Sequence, residues 1–109
     1  MTYKYVNPFA VAALAAGNNT LATVPTGTVY QIRSAKIHNP SAGVITIEIH
    51  IVAPAGSVAS TNQIIKRPIA VNETYMCPEL LNMTLVAGTT VVAIGQTLNA
   101  EMSVAEVVQ

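Results

Sequence analysis

The residues that could carry out chemistry are few in this chain of 109 residues. It contains two histidines, His38 and His50, one cysteine, Cys77, five glutamates and no aspartate. Hydrolytic catalysis needs a nucleophile beside a base, and an acidic group that orients the base. No sequence pattern brings such residues together, and a lone cysteine before Pro78 is typical of a buried, inert thiol. We therefore expect no catalytic residues and no enzyme activity.

The two histidines do not predict a metal site either. If residues 29–52 form a hairpin in which Pro40 faces Val44, His38 lies opposite Thr46. His50 then follows four residues later, roughly 13 Å further along the strand. Zinc ligands must lie within about 2.0–2.3 Å of the ion, so this separation excludes a shared site. We expect both histidines to be exposed strand residues, with no metal and no cofactor.

The strongest structural signal lies in residues 44–52, which read VITIEIHIV. Isoleucine occupies every second position: Ile45, Ile47, Ile49 and Ile51. This period of two predicts a strand with one face buried. A slip of one residue would bury Glu48 and His50, so the register is strongly specified.

A hairpin is the predicted context of this strand. The preceding residues 29–39 are also strand-like, and only residues 40–43 separate the two runs. A loop of that length favours an antiparallel turn with Gly43 in the left-handed conformation. The hairpin would place Ile37 opposite Ile47 in the core.

Short strand signals separated by turns continue along the rest of the chain. Alternation changes phase near Arg33 and Ser34, which predicts a β-bulge. Pro68 confines the strand over residues 63–71 to a sheet edge or a bulge, and residues 53–62 form the longest predicted loop. Seven or eight strands at intervals of about ten residues predict an all-β fold, a single antiparallel β-sandwich resembling a jelly roll.

Composition suggests association with other proteins. Only 9% of residues are charged, against about 25% in an average soluble domain. The net charge is zero and 51% of residues are hydrophobic, which favours a homo-oligomer or a subunit of a larger assembly. A small monomer solubilised by threonine, asparagine and serine is the alternative. The five basic residues are scattered, so nucleic acid is not an expected ligand.

The N-terminal residues 1–16 are predicted to form an extended arm, followed by a sandwich domain over residues 17–109. The segment imitates a short signal peptide, but Asn7 and Pro8 interrupt its apolar run, and we expect no membrane association. Its apolar and aromatic residues are candidate interface residues: Tyr3, Tyr5, Val6, Phe9, Val11 and Leu14. The arm would pack on a neighbouring subunit or shell, or only on its own domain.

Four stretches resemble a family of small all-β virion proteins from tailed bacteriophages. They are LATVPTG at residues 21–27, RSAKIHN at 33–39, LVAGTTV at 85–91 and the end strand with Glu106 and Val107. The resemblance spans residue 21 to the C-terminus. Thr89 stands where the family commonly has aspartate, and Ala105 where it often has glycine. These motifs are turn and packing signals and carry no site chemistry.

The resemblance implies a capsid decoration or cement protein that binds the exterior of the head shell as an oligomer. Its partner would be the major capsid protein of the same phage, and it would be made in the host cytoplasm. A tail-associated adaptor or fibre component is the alternative within the virion. A small carbohydrate-binding module is a further alternative, although the chain has no tryptophan for stacking on sugars.

Overall fold

Two antiparallel β-sheets packed face to face make up the fold. The structure is a computed structural model and describes residues 2–108. Its nine strands are β1 (Thr2–Ala13), β2 (Asn19–Thr23), β3 (Thr28–His38), β4 (Ile45–Val52), β5 (Gln63–Ile69), β6 (Thr74–Tyr75), β7 (Thr84–Leu85), β8 (Thr90–Ile94) and β9 (Asn99–Val108). Within residues 2–108 the helical segments are two short 3₁₀ turns, Ser60–Asn62 and Pro78–Leu80. The prediction of an all-β sandwich is confirmed.

The strand order is that of a jelly roll. The first sheet runs β1-β9-β3-β6, and the second sheet runs β2-β8-β4-β5. The short strand β7 also pairs with β3, on the side of β3 that β9 leaves free, so β6 and β7 form one interrupted edge. The other eight strands form the two four-stranded sheets that define this topology.

The inner faces of the two sheets form the hydrophobic core. Large side chains that are fully buried there include Leu21, Ile32, Ile37, Ile47, Ile49, Ile69, Leu80, Leu98 and Met102. Ile45 and Ile51 are partly buried and pack against this core, so the predicted inward face of β4 is confirmed. Each fully buried isoleucine stabilises the fold by roughly 1.5–3 kcal/mol.

The predicted hairpin between β3 and β4 is wrong, because the two strands belong to different sheets. Ile37 pairs with Ala100 on β9, whereas Ile47 pairs with Arg67 on β5. Gly43 is not among the glycines with positive φ. The alternation of isoleucine predicts which residues of β4 face the core. A strand with one inward face can belong to either sheet of a sandwich, so alternation does not determine which strand pairs with β4.

Asn39 shapes the crossing between the sheets at this point. Its side chain is fully buried, and its Nδ2 donates to the carbonyl oxygens of Gly43 at 2.8 Å and Ile69 at 2.9 Å. Its Oδ1 accepts from the backbone N–H of Ser41 at 2.9 Å. The Asn39 carboxamide therefore provides hydrogen bonds for several backbone groups that have no strand partner here. This allows the chain to cross from the first sheet to the second instead of forming a hairpin.

Two further local predictions are confirmed. The pairing of β3 with β9 shifts between Ile32 and Ser34, which is the predicted bulge. Strand β5 lies at the edge of the second sheet, with Pro68 paired to Thr46 on β4. An edge position suits proline, since it has no N–H to donate to a neighbouring strand.

The expected N-terminal arm is instead an edge strand of the first sheet. β1 pairs with β9 from Thr2 opposite Val108 to Ala13 opposite Asn99, with two register shifts. Val6 and Phe9 are partly buried and pack against the core, whereas most other side chains of the strand are exposed. The boundary predicted between residues 16 and 17 thus falls inside one sandwich, while Met1 and Gln109 lie outside the described residues.

The burial of Ile47 gives a direct test of the core. Replacing Ile47 by alanine is expected to lower the free energy of unfolding by about 2–5 kcal/mol, because the side chain leaves a cavity between the sheets. Urea denaturation followed by circular dichroism would measure the loss. The matched control is Val44→Ala at an exposed position, which should change stability little. Equal effects of the two substitutions would contradict this packing.

Candidate functional site

The two histidines lie in different sheets and do not form a common site. His38 ends β3 in the first sheet, and His50 lies on β4 in the second. Among residues 2–108, no group of three or more histidine, cysteine, aspartate or glutamate residues is arranged to hold a metal ion. No helix of the described chain has the length and apolar character needed to cross a membrane.

The prediction that His50 is exposed is wrong, because the loop over residues 53–62 covers it. Its Nδ1 lies 2.8 Å from Asn62 Oδ1 and 3.1 Å from the Ala59 carbonyl oxygen. Its Nε2 lies 3.3 Å from Glu48 Oε1. The outer face of the second sheet is therefore partly closed by the chain's own loop, a contact between distant residues that strand alternation does not reveal.

Cys77 lies near the contact between β5 and β6, which are edge strands of the two sheets. It is fully buried, and burial is the main cause that raises the pKa of its thiol to about 12. Beside it the Arg67 guanidinium carbon, from β5, lies 4.1 Å from the centre of the Tyr75 ring on β6. Arg67 also pairs with Glu73 at 3.5 Å, and the Tyr75 hydroxyl donates to Glu79. These contacts are structural, and the thiol is protonated and inert at neutral pH.

The outer face of the first sheet, formed by β1, β9 and β3, carries exposed aromatic residues. Tyr3 and Tyr5 are 53% and 63% exposed, and their rings meet edge to face at 5.5 Å. The Arg33 guanidinium carbon, from β3, lies 4.4 Å from the centre of the Tyr5 ring. We call these three residues the tyrosine patch. Such a patch offers contact area with little side-chain freedom to lose on binding.

The six predicted interface residues are divided by the fold. Tyr3, Tyr5 and Val11 are exposed, and Val11 is 73% exposed. Val6 and Phe9 are partly buried and pack against the core, and Leu14 is buried in it. Val6 and Phe9 expose only part of their surface and Leu14 almost none, so Tyr3, Tyr5 and Val11 offer most of the side-chain area that a partner could contact.

A small cavity opens on the same outer face, near the other end of β3. It encloses about 170 Å³, and its walls include Lys36 and His38 from β3, Thr74 from β6 and Glu101 from β9. His38 Nδ1 and Thr74 Oγ1 are hydrogen-bonded at 2.8 Å. No pattern in the sequence indicates this cavity, because it depends on β9 lying between β1 and β3, which are far apart in the chain.

Comparison with known proteins adds little to this geometry. No protein-family model matches the chain, and no curated protein is similar to it. A solved structure, described as the structure of infectious bursal disease virus Gx strain, is similar with a TM-score of 0.40 and 13% identity. The match covers 96% of this chain and 31% of that chain.

The buried thiol predicts how stability depends on alkaline pH. Its folded pKa is raised from 9.0 to about 12, so the unfolded chain ionises first and stability falls as pH rises from 9 towards 12. Between pH 9 and 10 this group should cost about 1 kcal/mol of unfolding free energy. Urea denaturation in reducing buffer would show the wild type losing that much more than Cys77→Ala. Parallel losses in both proteins would contradict burial of the thiol.

Proposed function

We propose that this chain is a structural protein of a bacteriophage virion, a capsid decoration or cement protein that binds the exterior of the head shell as an oligomer. Its partner is the major capsid protein of the same phage. The contact is made by the outer face of the first sheet and the free edge of β1. The observation that carries the choice of contact surface is the exposed tyrosine patch, which lies on a sheet face that no segment of residues 2–108 covers.

The two outer faces of the sandwich differ in a way that supports this choice of surface. On the second sheet, the loop over residues 53–62 covers His50, and Val52 and Val92 are also buried on that side. On the first sheet, Tyr3 and Tyr5 remain exposed. A large aromatic side chain left in water on a sheet face is characteristic of an interaction surface.

The sparse charge of the surface supports a role in an assembly. The chain exposes 5587 Å² and has ten charged residues in all. Some of these are already paired, including Lys4 with Glu106 at 3.4 Å and Arg67 with Glu73 at 3.5 Å. A nearly neutral surface can be buried against a shell with little loss of charge hydration.

The edge of β1 offers a second means of attachment. It is the outermost strand of the first sheet, so one side of its backbone is free to pair with another strand.

Jelly rolls occur in viral capsid proteins, and also in lectins and cupins. The topology suits the proposed role, and the assignment to a virion comes from the resemblance of the sequence.

The location of the protein in the particle tests the proposal. Cryo-electron microscopy of virions of the encoding phage should show density for this sandwich at many equivalent positions on the head exterior. Quantitative gels of the same particles should show it as an abundant component. Density at a single vertex would instead identify a tail-associated adaptor or fibre component. Particles that lack the protein would overturn a virion role altogether.

The tyrosine patch can be tested by substitution. The double variant Tyr3→Ser and Tyr5→Ser should weaken binding to heads that lack the protein by roughly tenfold or more, because exposed aromatic anchors dominate such interfaces. Its thermal stability should change little, since both rings are largely in solvent.

The matched control is the double variant Val44→Ser and Val86→Ser, which removes two exposed apolar residues elsewhere on the surface. Its binding should equal that of the wild type in co-sedimentation with heads. If the tyrosine variant also binds as the wild type does, the outer face of the first sheet is not the contact surface.

A further inference from the structure

Three of the four sheet edges are poorly suited to accept a further strand, whereas the edge of β1 is long and open. Pro68 and the exposed Lys66 interrupt the edge of β5. β6 and β7 have two residues each, and β2 has five with a register shift after Thr20. β1 has twelve residues. A long edge without such interruptions recruits another strand, because its backbone groups are unpaired.

The first part of β1 has the most regular free backbone. Residues 2–6 pair with residues 108–104 of β9 without a shift, whereas two shifts follow between Val6 and Ala12. In the described chain, residues 2–13 make no backbone hydrogen bond to any segment other than β9. Alternate residues of an antiparallel pair direct their N–H and C=O groups away from the partner. Residues 2–6 therefore carry free donors and acceptors along an unbroken edge.

Lys4 does not close this edge. It is the one charged residue among residues 2–6, and a lysine on an edge strand commonly prevents strand addition. Its Nζ lies 3.4 Å from Glu106 Oε1. Glu106 belongs to β9, which lies on the opposite side of β1 from the free edge. The charge is therefore compensated and directed away from an added strand.

We propose that residues 2–6 of β1 pair antiparallel with the same residues of a second copy, about a two-fold axis at Lys4. The first sheets of the two copies, with four strands from each, then form one continuous sheet. This pairing names the contact that makes the oligomer of the proposed function, and it rests on that function only for its role in the particle. Residues 9–13 take no part in it and remain available to the shell.

A second copy fits this edge because the run is complementary to itself. Residues directly opposite in an antiparallel pair lie on the same face of the sheet. Pairing centred on Lys4 therefore places Tyr3 of each copy opposite Tyr5 of the other. Both tyrosines are exposed on the outer face, and aromatic cross-strand pairs stabilise a sheet. The pairing also joins two tyrosine patches into one larger surface on the face assigned to the shell.

Lys4 gives this contact an electrostatic signature. The two lysines face each other at the axis, and each Glu106 offsets the charge of its own Lys4. Glu106→Gln keeps the shape of the side chain but leaves two unpaired ammonium groups opposed, so it should weaken self-association roughly threefold or more. Adding Lys4→Met to Glu106→Gln removes this repulsion and should restore the association. A contact elsewhere on the surface would respond to neither substitution.

Sedimentation equilibrium of the purified protein tests the pairing without any capsid. We expect a reversible equilibrium of monomer and dimer, which Glu106→Gln shifts towards the monomer and the added Lys4→Met reverses. The matched control is Glu73→Gln, which frees Arg67 at the contact between β5 and β6 and should leave the equilibrium unchanged. Thermal unfolding of each variant at a concentration where the monomer predominates separates effects on the fold from effects on the dimer.

Disulfide formation locates the contact. Lys4→Cys should give a covalent dimer under mild oxidation, because opposite Cα atoms of an antiparallel pair lie about 4.5–5.5 Å apart, within reach of a disulfide. Val11→Cys is the control, at an exposed position of the same strand outside residues 2–6, and it should crosslink much more slowly. The native Cys77 is buried and does not compete.

The outcomes separate this inference from the proposed function. A wild type that stays monomeric up to about 1 mM, or equal crosslinking of Lys4→Cys and Val11→Cys, would overturn the pairing. Binding of such a monomer to heads would still retain the shell contact of the proposed function. A dimer crosslinked through Lys4→Cys that fails to bind heads would support the pairing and reject the shell contact.

Discussion

The structure depends on the repeated crossing of the chain between two sheets about 10 Å apart. Strands β1 to β4 alternate from one sheet to the other, so each connection must traverse the end of the sandwich with its backbone groups satisfied. At the β3–β4 crossing, the buried Asn39 amide does this through Gly43, Ile69 and Ser41. Because neighbours in sequence are separated in space, most pairing is long-range, and the central strand β9 joins the two strands β1 and β3.

That topology also explains why a loop partly covers the outer face of the second sheet, whereas the outer face of the first sheet is left exposed. β4 and β5 form a hairpin, and the ten residues 53–62 between them fold back over His50 on the second sheet. The long strands β3 and β9 of the first sheet have no such neighbouring loop among residues 2–108. Their outer face is therefore left to side chains alone, with Tyr3, Tyr5 and Arg33 packed on one another and a cavity towards the end at His38.

The structural features that the sequence predicts correctly are those determined by residues close together along the chain. The inward face of β4, the bulge in β3 and the edge position of β5 all follow from alternation or from one proline, and the fold class follows from the spacing of strands. A period of two does not say which strand lies alongside, so it leads to the wrong β3–β4 hairpin and to an N-terminal arm where β1 in fact pairs with β9. The same gap hid the burial of His50 and the cavity at Glu101, because each needs a contact between distant segments.

The scarcity of charge leaves the outer face of the first sheet close to neutral. Lys36 on β3 lies directly opposite Glu101 on β9, so the charges at that end of the face offset one another. Apolar and aromatic contact at Tyr3, Tyr5 and Val11 supplies area, but area of this kind tolerates sliding along a flat strand face. On the proposed interface, the alignment of a partner would therefore come from the backbone edge of β1, because main-chain hydrogen bonds between strands fix their register.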